Sequence, residues 1–555
     1  MNDQTPMLEV IVDRSLPSKG GLVMRKRRGR GRVRGTVHRQ RASKALTARV
    51  RRVGPECFGI LAVDSAKSRF AVLLTDFYGR PRMGVVEVDN TAPALDALVA
   101  QVKACCAEHG LKDLVVAMER TGRYHMPIRQ VLEKHWDVQI IHPFATKQLR
   151  QPADPGNKTD PTDLRAIVRA TIVGFGTREQ ELPPGWVDWR LVSREREALV
   201  RQRAWTRVRL HMRIEALMPG YPALFGNLWT SPLAVLWAEH YGSASALVAA
   251  GEPGLRACGH EAGALVQART VAKVLQWAAQ AAPADPGAAA GQRLLRDQVG
   301  LLRPLEAQIE AYERQLVVPL VQTPFVLLVG IPGINVASAA SYGAELGPIE
   351  HYVHPKKITG RAGIYPSRYQ SDETDLADGP LVGHRNARLR DAILEIAHNL
   401  LAHNDHVKAW AAIRRLRGWP EAKVHIAVAS KFVRISYWML AGRTVFEHPC
   451  LGGRDAVVRK LYRFARAHRI PLADTHTLLH RAAQQLPADV RHEEAHALAE
   501  ALPRRSRRGG EPQRIGTLLR DIIAQLAPGI HLETQRRPVR PCPPTEGPSL
   551  NAQDC

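Results

Sequence analysis

Two aspartates three residues apart, Asp160 and Asp163, stand at the start of a predicted helix. Side chains with this spacing share one face of the first helical turn, so the two carboxylates could bind a divalent metal ion. The same pattern fits an ordinary helix start, with Asp160 as the N-cap residue, Pro161 in the first turn and Asp163 as a favourable acid. The local spacing therefore leaves metal binding and helix capping open.

Two further acids, Asp64 and Glu119, follow short apolar runs at residues 58–63 and 114–118. Apolar runs of this length predict buried strands. Acidic residues at the ends of neighbouring strands meet at one edge of a sheet, and a helix can begin at that edge. We therefore expect all four carboxylates to converge on one site.

The elements that must position these acids form an α/β pattern. Strands are predicted at residues 58–64, 70–75, 83–88, 114–119 and 138–141, with helices at 96–109 and 124–134. Three consecutive strands followed by alternating helices and strands is the order of the ribonuclease H-like fold.

The remaining chain is predicted to be mostly helical. Long helices are expected at residues 191–217 and 293–318, the second with Pro304 as a possible kink. Their apolar stripes fit an intramolecular hairpin, an oligomeric coiled coil or plain core packing. Five segments result: a basic disordered extension (1–55), the α/β domain (56–180), a helical linker (181–320), a second, mostly helical domain (321–445) and a basic extension (446–555).

The composition of the whole chain indicates its partners and surroundings. A formal net charge of +25 and a pI near 10.2 indicate a polyanionic partner, foremost nucleic acid, and the basic runs at 24–32 and 504–508 suit phosphate contacts. Seven scattered cysteines without a CxxC pair favour a reducing cytoplasm. Neither a membrane-length apolar run nor a signal-peptide pattern is present, so a cytoplasmic protein without membrane contact is expected.

Two other motifs have competing interpretations. Residues 330–334, Gly-Ile-Pro-Gly-Ile, fit either the phosphate-binding turn of a helix-hairpin-helix or an ordinary turn between helices. The stretch from His492 to His496 matches the zinc-binding pattern HExxH, but it lies in a polar segment without an evident catalytic core. A zinc site is the weaker interpretation of that stretch.

The ordered set of motifs resembles the DEDD transposases of insertion-sequence family one-ten, which include Piv-type invertases and bridge-RNA-guided recombinases. The motifs are VDSAK at 63–67, MERTGRY at 118–124, KTDPTD at 158–163, IPGI at 331–334, AGIYP at 362–366, Ser371 and NARLR at 386–390. The resemblance covers about residues 57–445. Each motif alone is weakly specific, and their order makes the set specific.

The resemblance implies a RuvC-like ribonuclease H domain, a helical linker and a serine-bearing transposase domain. It implies that Asp64, Glu119, Asp160 and Asp163 are metal ligands, and four carboxylates can hold two Mg²⁺ ions. Ser371, five residues after Pro366, falls where the family has its nucleophile, although Asp372 replaces the glycine that usually follows. The implied partners are DNA (element ends and target), a structured guide RNA and further copies of the chain, as a dimer or tetramer.

Two rival functions fit parts of the same pattern. A Holliday-junction resolvase would use water and the four carboxylates, leaving Ser371 as an ordinary loop residue. A nucleic-acid-binding regulator with an inactive nuclease fold would need neither Ser371 nor the four carboxylates. The presence of all four carboxylates counts against this function. A covalent protein–DNA adduct separates the first rival from a serine recombinase, and any metal-dependent cleavage excludes the second.

Overall fold

The computed structural model describes residues 44–120, 122–150, 159–178, 182–284, 287–371, 374–376, 379–383, 385–447, 456–499 and 511–526. The chain folds as two compact units, Met1–Glu181 and Leu182–Cys555. No helix in the described part of the chain is long and apolar enough to cross a membrane.

The first unit is a five-stranded mixed sheet with helices on both faces. Its elements are α1 (Lys44–Val53), β1 (Phe58–Ser65), β2 (Arg69–Asp76), β3 (Pro81–Asp89), α2 (Ala92–Glu108), β4 (Asp113–Glu119), α3 (Met126–Leu132), β5 (Asp137–Ile141), α4 (Pro143–Arg150) and α5 (Asp160–Val173). The strand order is β3-β2-β1-β4-β5. The β1–β2 and β2–β3 pairs are antiparallel, whereas β1–β4 and β4–β5 are parallel.

The apolar runs at β1 and β4 are continuous because both faces of the sheet are covered. On one face, Leu61 and Val63 pack in a core that includes α2 and α3. On the other face, Ile60 and Ala62 pack in a core that includes α1 and α5. The predicted α/β pattern of the N-terminal part is confirmed, and α4 is an additional helix that the sequence did not indicate.

Helix α1 corrects the predicted extent of the disordered extension. Leu46 and Val50, one helical turn apart, are buried against the sheet. Arg49 binds the Asp113 carboxylate through Nε (3.0 Å) and Nη2 (2.6 Å) and the Asp137 carboxylate through Nη1 (2.9 Å). The basic end of the predicted extension is thus part of the folded unit, because its cations neutralise acids at the starts of β4 and β5. The preceding basic run lies outside the described residues.

In its described residues, the regular structure of the second unit is helical apart from one small hairpin. Its elements are α6 (Pro184–Leu217), α7 (Pro232–Tyr241), α8 (Ala244–Glu261), α9 (Ala268–Ala278), α10 (Ala288–Val321), α11 (Val336–Leu346), α12 (Pro355–Ala362), β6 (Tyr369–Ser371), β7 (Thr374–Leu376), α13 (Ala387–His403), α14 (Asp405–Leu416), α15 (Glu421–Gly442), α16 (Val457–Ala467), α17 (Leu472–Gln485), α18 (Arg491–Ala499) and α19 (Glu511–Leu526). The predicted helical character of the C-terminal part is confirmed.

The two long helices, α6 and α10, run antiparallel and pack against each other within one chain. Leu210 and Ile214 of α6 share a core with Leu295 and Val299 of α10. Farther along the pair, Arg196 donates to Glu313 (2.6 Å). Helix α10 continues through Pro304. Pairing within one chain is one of the predicted alternatives, and the oligomeric state stays a prediction.

The Gly-Ile-Pro-Gly-Ile turn is an ordinary structural junction. Gly333 has φ +95°, and a side chain there would meet the Asn399 carbonyl oxygen at 2.9 Å. The Ile334 amide donates to the Ile331 carbonyl (3.0 Å), and the Asn335 amide donates to Ser338 Oγ (3.2 Å). Because these amides are already used inside the protein, the turn interpretation is favoured over the phosphate-binding one.

Candidate active site

Two of the predicted site residues stand at the same edge of the five-stranded sheet. Asp64 is the penultimate residue of β1 and Glu119 is the last residue of β4. These strands are parallel neighbours, with Val63 opposite Met118. The register therefore brings both acids to the carboxyl edge of the sheet, where ligand sites form in α/β folds.

The first turn of α5 carries the other two acids. Thr159 is the N-cap residue, and its amide donates to Thr162 Oγ1 (3.0 Å) while its carbonyl accepts from the Asp163 amide (3.0 Å). Asp160 is exposed and is the first helical residue, so the alternative in which it caps the helix is wrong. Asp163 is only 6% exposed. Neither acid is needed to cap α5.

All four predicted acids line a single cavity of about 720 Å³ in the first unit. Its wall also carries four basic side chains, Lys67, Arg69, Lys147 and Arg150. A cavity with both signs of charge suits a phosphodiester, because cations can hold the phosphate while carboxylates hold metal ions or accept protons.

The donor set of this cavity fits Mg²⁺, which prefers carboxylate oxygens. Within the described ranges, however, no group of three or more His, Cys, Asp or Glu side chains is placed to hold a metal ion. One reason is visible at Asp163, whose Oδ1 accepts a short hydrogen bond from Arg150 Nη1 at the end of α4. The carboxylates are gathered but not arranged as a coordination shell, and metal binding stays a prediction.

Ser371 belongs to the second unit, where it is the exposed last residue of β6. The sequence suggests an unstructured polar loop here, and the structure instead has a hairpin in which Ser371 pairs with Thr374 of β7. Below these strands, the Ser367 amide donates to the Pro380 carbonyl (2.9 Å), and the Val382 amide donates to the Tyr365 carbonyl (3.2 Å). The serine is thus carried on a hydrogen-bonded segment, the described residues between Tyr365 and Val382, which we name the serine arm. Asp372 lies outside the described residues.

The base of this arm is held by Arg390, which is 7% exposed and projects from α13. Its guanidinium donates to the carbonyls of Ala362 (2.9 Å), Gly363 (2.5 Å) and Val382 (2.6 Å). Gly363 has φ +63°, and a side chain there would lie 2.6 Å from Arg390 Nη2. The AGIYP and NARLR motifs are therefore in contact, because Arg390 of NARLR donates hydrogen bonds to the carbonyls of Ala362 and Gly363 in AGIYP.

A buried carboxylate, Glu345, links the same region to α6. Arg194 binds both of its oxygens (2.6 and 3.0 Å), and Asn386 Nδ2 donates to Oε2 (3.3 Å). Burial alone would raise the pKa of Glu345, but the hydrogen bond and charge of Arg194 lower it below its ordinary value. Asn386 also caps α13 by accepting from the Leu389 amide (3.1 Å). The NARLR motif is fixed at its first residue as well as at its last.

The HExxH stretch lies on α18 and has a structural role. Glu494, 2% exposed, accepts hydrogen bonds from the amides of Val457 (2.9 Å) and Val458 (3.0 Å) at the start of α16. The rings of His492 and His496 lie 4.6 Å apart. No group of metal-ligating side chains occurs in the described part of this region.

Sequence reasoning missed two residues, Arg150 and Arg390. Arg390 ends the NARLR motif, but nothing in the sequence indicates that its side chain is turned inward. Arg150 lies on the helix that was not predicted, and no pattern in the sequence connects it with Asp163.

Comparison with protein families gives two matches along the chain. Residues 61–221 match a family described as Transposase, and residues 326–411 match a family described as Transposase IS116/IS110/IS902 family. The first match contains the four acids of the cavity and the second contains Ser371. No curated protein matches the chain.

Proposed function

We infer from the two matches, which support an IS110-family transposase that acts on DNA, that this chain cuts and rejoins DNA strands with the carboxylate cavity and Ser371. The observation that carries the proposal is the convergence of Asp64, Glu119, Asp160 and Asp163 on one cavity at a sheet edge. None of the four is explained by capping. Their shared position with four cations suits a phosphodiester substrate better than a neutral one.

In this proposal the first unit has a RuvC-like ribonuclease H fold, and its four carboxylates hold Mg²⁺. Two bound Mg²⁺ ions would supply charge neutralisation for the attacking and leaving oxygens of the displaced phosphodiester. Lys67 and Lys147 at the cavity wall contribute positive charge toward the phosphate. Arg150, which contacts Asp163, would also contribute positive charge toward the phosphate once the Asp163 carboxylate binds Mg²⁺ instead.

Ser371 is the proposed nucleophile. Its Oγ attacks phosphorus, the phosphorus–oxygen bond to the leaving strand breaks, and the leaving oxygen takes a proton to become a hydroxyl. The hydroxyl proton of Ser371 passes to a carboxylate of the cavity or to water. The phosphoserine ester keeps the bond energy for rejoining, so the proposal needs no nucleotide cofactor. The hairpin supports this role because it presents an exposed hydroxyl on an ordered arm.

The proposal includes a structured guide RNA, which rests on the resemblance and on the charge of +25, and assembly as a dimer or tetramer, which rests on the resemblance alone. Removing copurified RNA should abolish recombination of the target while leaving salt-dependent DNA binding. Recombination by RNA-free protein at an undiminished rate would remove the guide from the proposal.

The central experiment looks for the covalent intermediate. The protein is incubated with Mg²⁺ and end-labelled DNA from the flanks of its gene, denatured, and examined for label on protein. Wild type should form the adduct and Ser371→Ala should not. Ser367→Ala is the matched control, because this second serine of the arm donates to the Pro380 carbonyl (2.9 Å) and should leave adduct formation intact.

The outcome also separates the rival function. Cleavage to free ends without an adduct, equally fast in wild type and Ser371→Ala, would refute the serine mechanism and establish a water-using resolvase. Cleavage that persists in Asp64→Asn and Asp163→Asn would refute the carboxylate site itself.

A further inference from the structure

The second unit has a cluster of tryptophan rings and cations on α14 and α15 that the proposed chemistry does not use. We name it the indole–cation patch, and it consists of Trp410, Arg414, Trp419, Lys423 and Lys431. The Arg414 guanidinium lies 5.0 Å from the Trp410 ring centre and 5.3 Å from that of Trp419. Lys423 lies 5.3 Å from Trp419, and Lys431 lies 4.9 Å from Trp410.

The backbone of the turn between the two helices builds this arrangement. Gly418 has φ +77° and ends α14, which allows the Trp419 amide to donate to the Arg414 carbonyl (3.1 Å). Trp419 is thereby returned to the side of Arg414, while Trp410 lies one helical turn before it. The two rings are 6.4 Å apart and nearly perpendicular. Arg414 contacts both, so the rings fix the position of its charge.

The charge around the patch is strongly positive. Residues 405–443 contain eight Lys or Arg and two Asp or Glu. Both acids are already engaged, Asp405 by Lys408 (3.0 Å) and Glu421 by Arg415 (2.6 Å). Within the described ranges no carboxylate lies at ion-pair distance from Arg414. This excess of positive charge, with the Arg414 guanidinium over two indole rings, is electrostatically suited to an anionic partner.

Two apolar side chains are also exposed on α14, and Ile413 lies one helical turn after Trp410. Leu416 is 88% exposed and Ile413 is 51% exposed, both at the end of α14. Cations held beside indole rings match a strand that offers both phosphates and unstacked bases.

We propose that the indole–cation patch binds an unpaired nucleic-acid strand, with the cations contacting phosphates and the indole edges and Ile413 contacting bases. A duplex hides its base faces and would use only the cations. The proposal is independent of the carboxylate cavity and of Ser371, and it holds whether or not the chain cleaves DNA.

The test measures binding of the full chain to three labelled probes, 20-nucleotide oligo-dT, 20-nucleotide oligo-rU and a 20-base-pair duplex, over a range of salt concentrations. Arg414→Gln, Lys423→Gln and Lys431→Gln are combined in one patch variant. The matched control removes three exposed charges elsewhere in the second unit, as Arg209→Gln, Arg269→Gln and Arg293→Gln.

For single strands, the patch variant should lose about two units of the slope of log affinity against log salt, about 0.7 for each lost phosphate contact. Its affinity at 0.1 M salt should fall at least tenfold, and the control variant should change much less. A second variant, Trp410→Leu with Trp419→Leu, keeps every charge and should still weaken single-strand binding at least fivefold. The ratio of oligo-dT to oligo-rU affinity identifies which strand type the patch prefers.

Two results would overturn the proposal: an equal loss in the control variant, or an equal loss for the duplex and the single strands. Crosslinking of the unaltered chain gives a readout that does not depend on how the variants fold. Strands containing 5-iodouracil should crosslink to peptides that include Trp410 or Trp419. Crosslinks confined to other peptides would refute the site.

Discussion

The anchoring of the serine arm by Arg390 leads to a prediction for Arg390→Met. This change removes three hydrogen bonds from a guanidinium to the carbonyls of Ala362, Gly363 and Val382 while keeping an apolar stem of similar reach. A hydrogen bond involving a charged group contributes about 1.5–3 kcal/mol net. Three bonds from one group are not additive, and the relief of burying a charge offsets part of their loss. We expect the arm to be destabilised by about 3 kcal/mol.

Hydrogen exchange of the arm measures this effect directly. The amides of Ser367, Gly379 and Val382 are hydrogen bonded across the arm and should report its opening. A loss of about 3 kcal/mol corresponds to roughly a hundredfold faster exchange through local opening. Arg390→Lys should fall between wild type and Arg390→Met, because one ammonium cannot reproduce the planar fork that spans three carbonyls.

A matched control is available on the same helix. Arg388, half-buried and two residues earlier on α13, has no hydrogen bond to the described residues of the arm, so Arg388→Met should leave the exchange of the arm unchanged. Adduct formation by Ser371 should fall with arm protection in the Arg390 variants. Unchanged exchange at all three amides in Arg390→Met would refute the anchoring argument, even if activity were lost.

Two further predictions follow from other parts of the structure. Asp160→Asn should abolish metal-dependent strand cleavage, measured with Mg²⁺ and labelled DNA, yet leave the thermal unfolding midpoint unchanged because Thr159 caps α5; wild-type cleavage would show that Asp160 is not a ligand. His468 Nε2 donates to Glu313 Oε2 (2.7 Å), and although burial alone lowers the pKa of His468, this contact raises it above its ordinary value. Because the pKa of His468 is higher in the folded than in the unfolded state, its stabilising contribution is fully present below the unfolded pKa of about 6.5. The contribution is lost as the pH rises through the pKa of the folded state. The unfolding midpoint should therefore decline across that range more steeply in wild type than in His468→Gln, and parallel curves would contradict the assignment.

The sheet of the first unit could be predicted because its signal is local. Each buried strand is a short apolar run, and the acids that end β1 and β4 mark the edge of the sheet. Helix α1 could not be predicted in the same way. It is rich in basic residues, and only the distant acids Asp113 and Asp137 make burial of Arg49 favourable.

The candidate site shows the same division between local and distant information. The spacing of Asp160 and Asp163 indicates a shared helix face, but their meeting with Asp64 and Glu119 depends on strand register. Pairing of Arg150 with Asp163 depends on where α4 ends, which no periodic pattern specifies. The serine arm was missed as an element because its strands have three residues each, too short to produce a recognisable alternation.

The antiparallel pair of α6 and α10 also sets a length scale. Each helix has 34 residues, so the pair extends about 50 Å at 1.5 Å per residue. Near its start α6 contacts Glu345, and near its end it shares a core with α7, α8 and α9. B-form DNA rises about 34 Å in ten base pairs, so 50 Å corresponds to about 15 base pairs. A duplex lying along the pair and touching both ends would leave a footprint of about one and a half helical turns, with the major groove facing the protein at one contact point and the minor groove at the other.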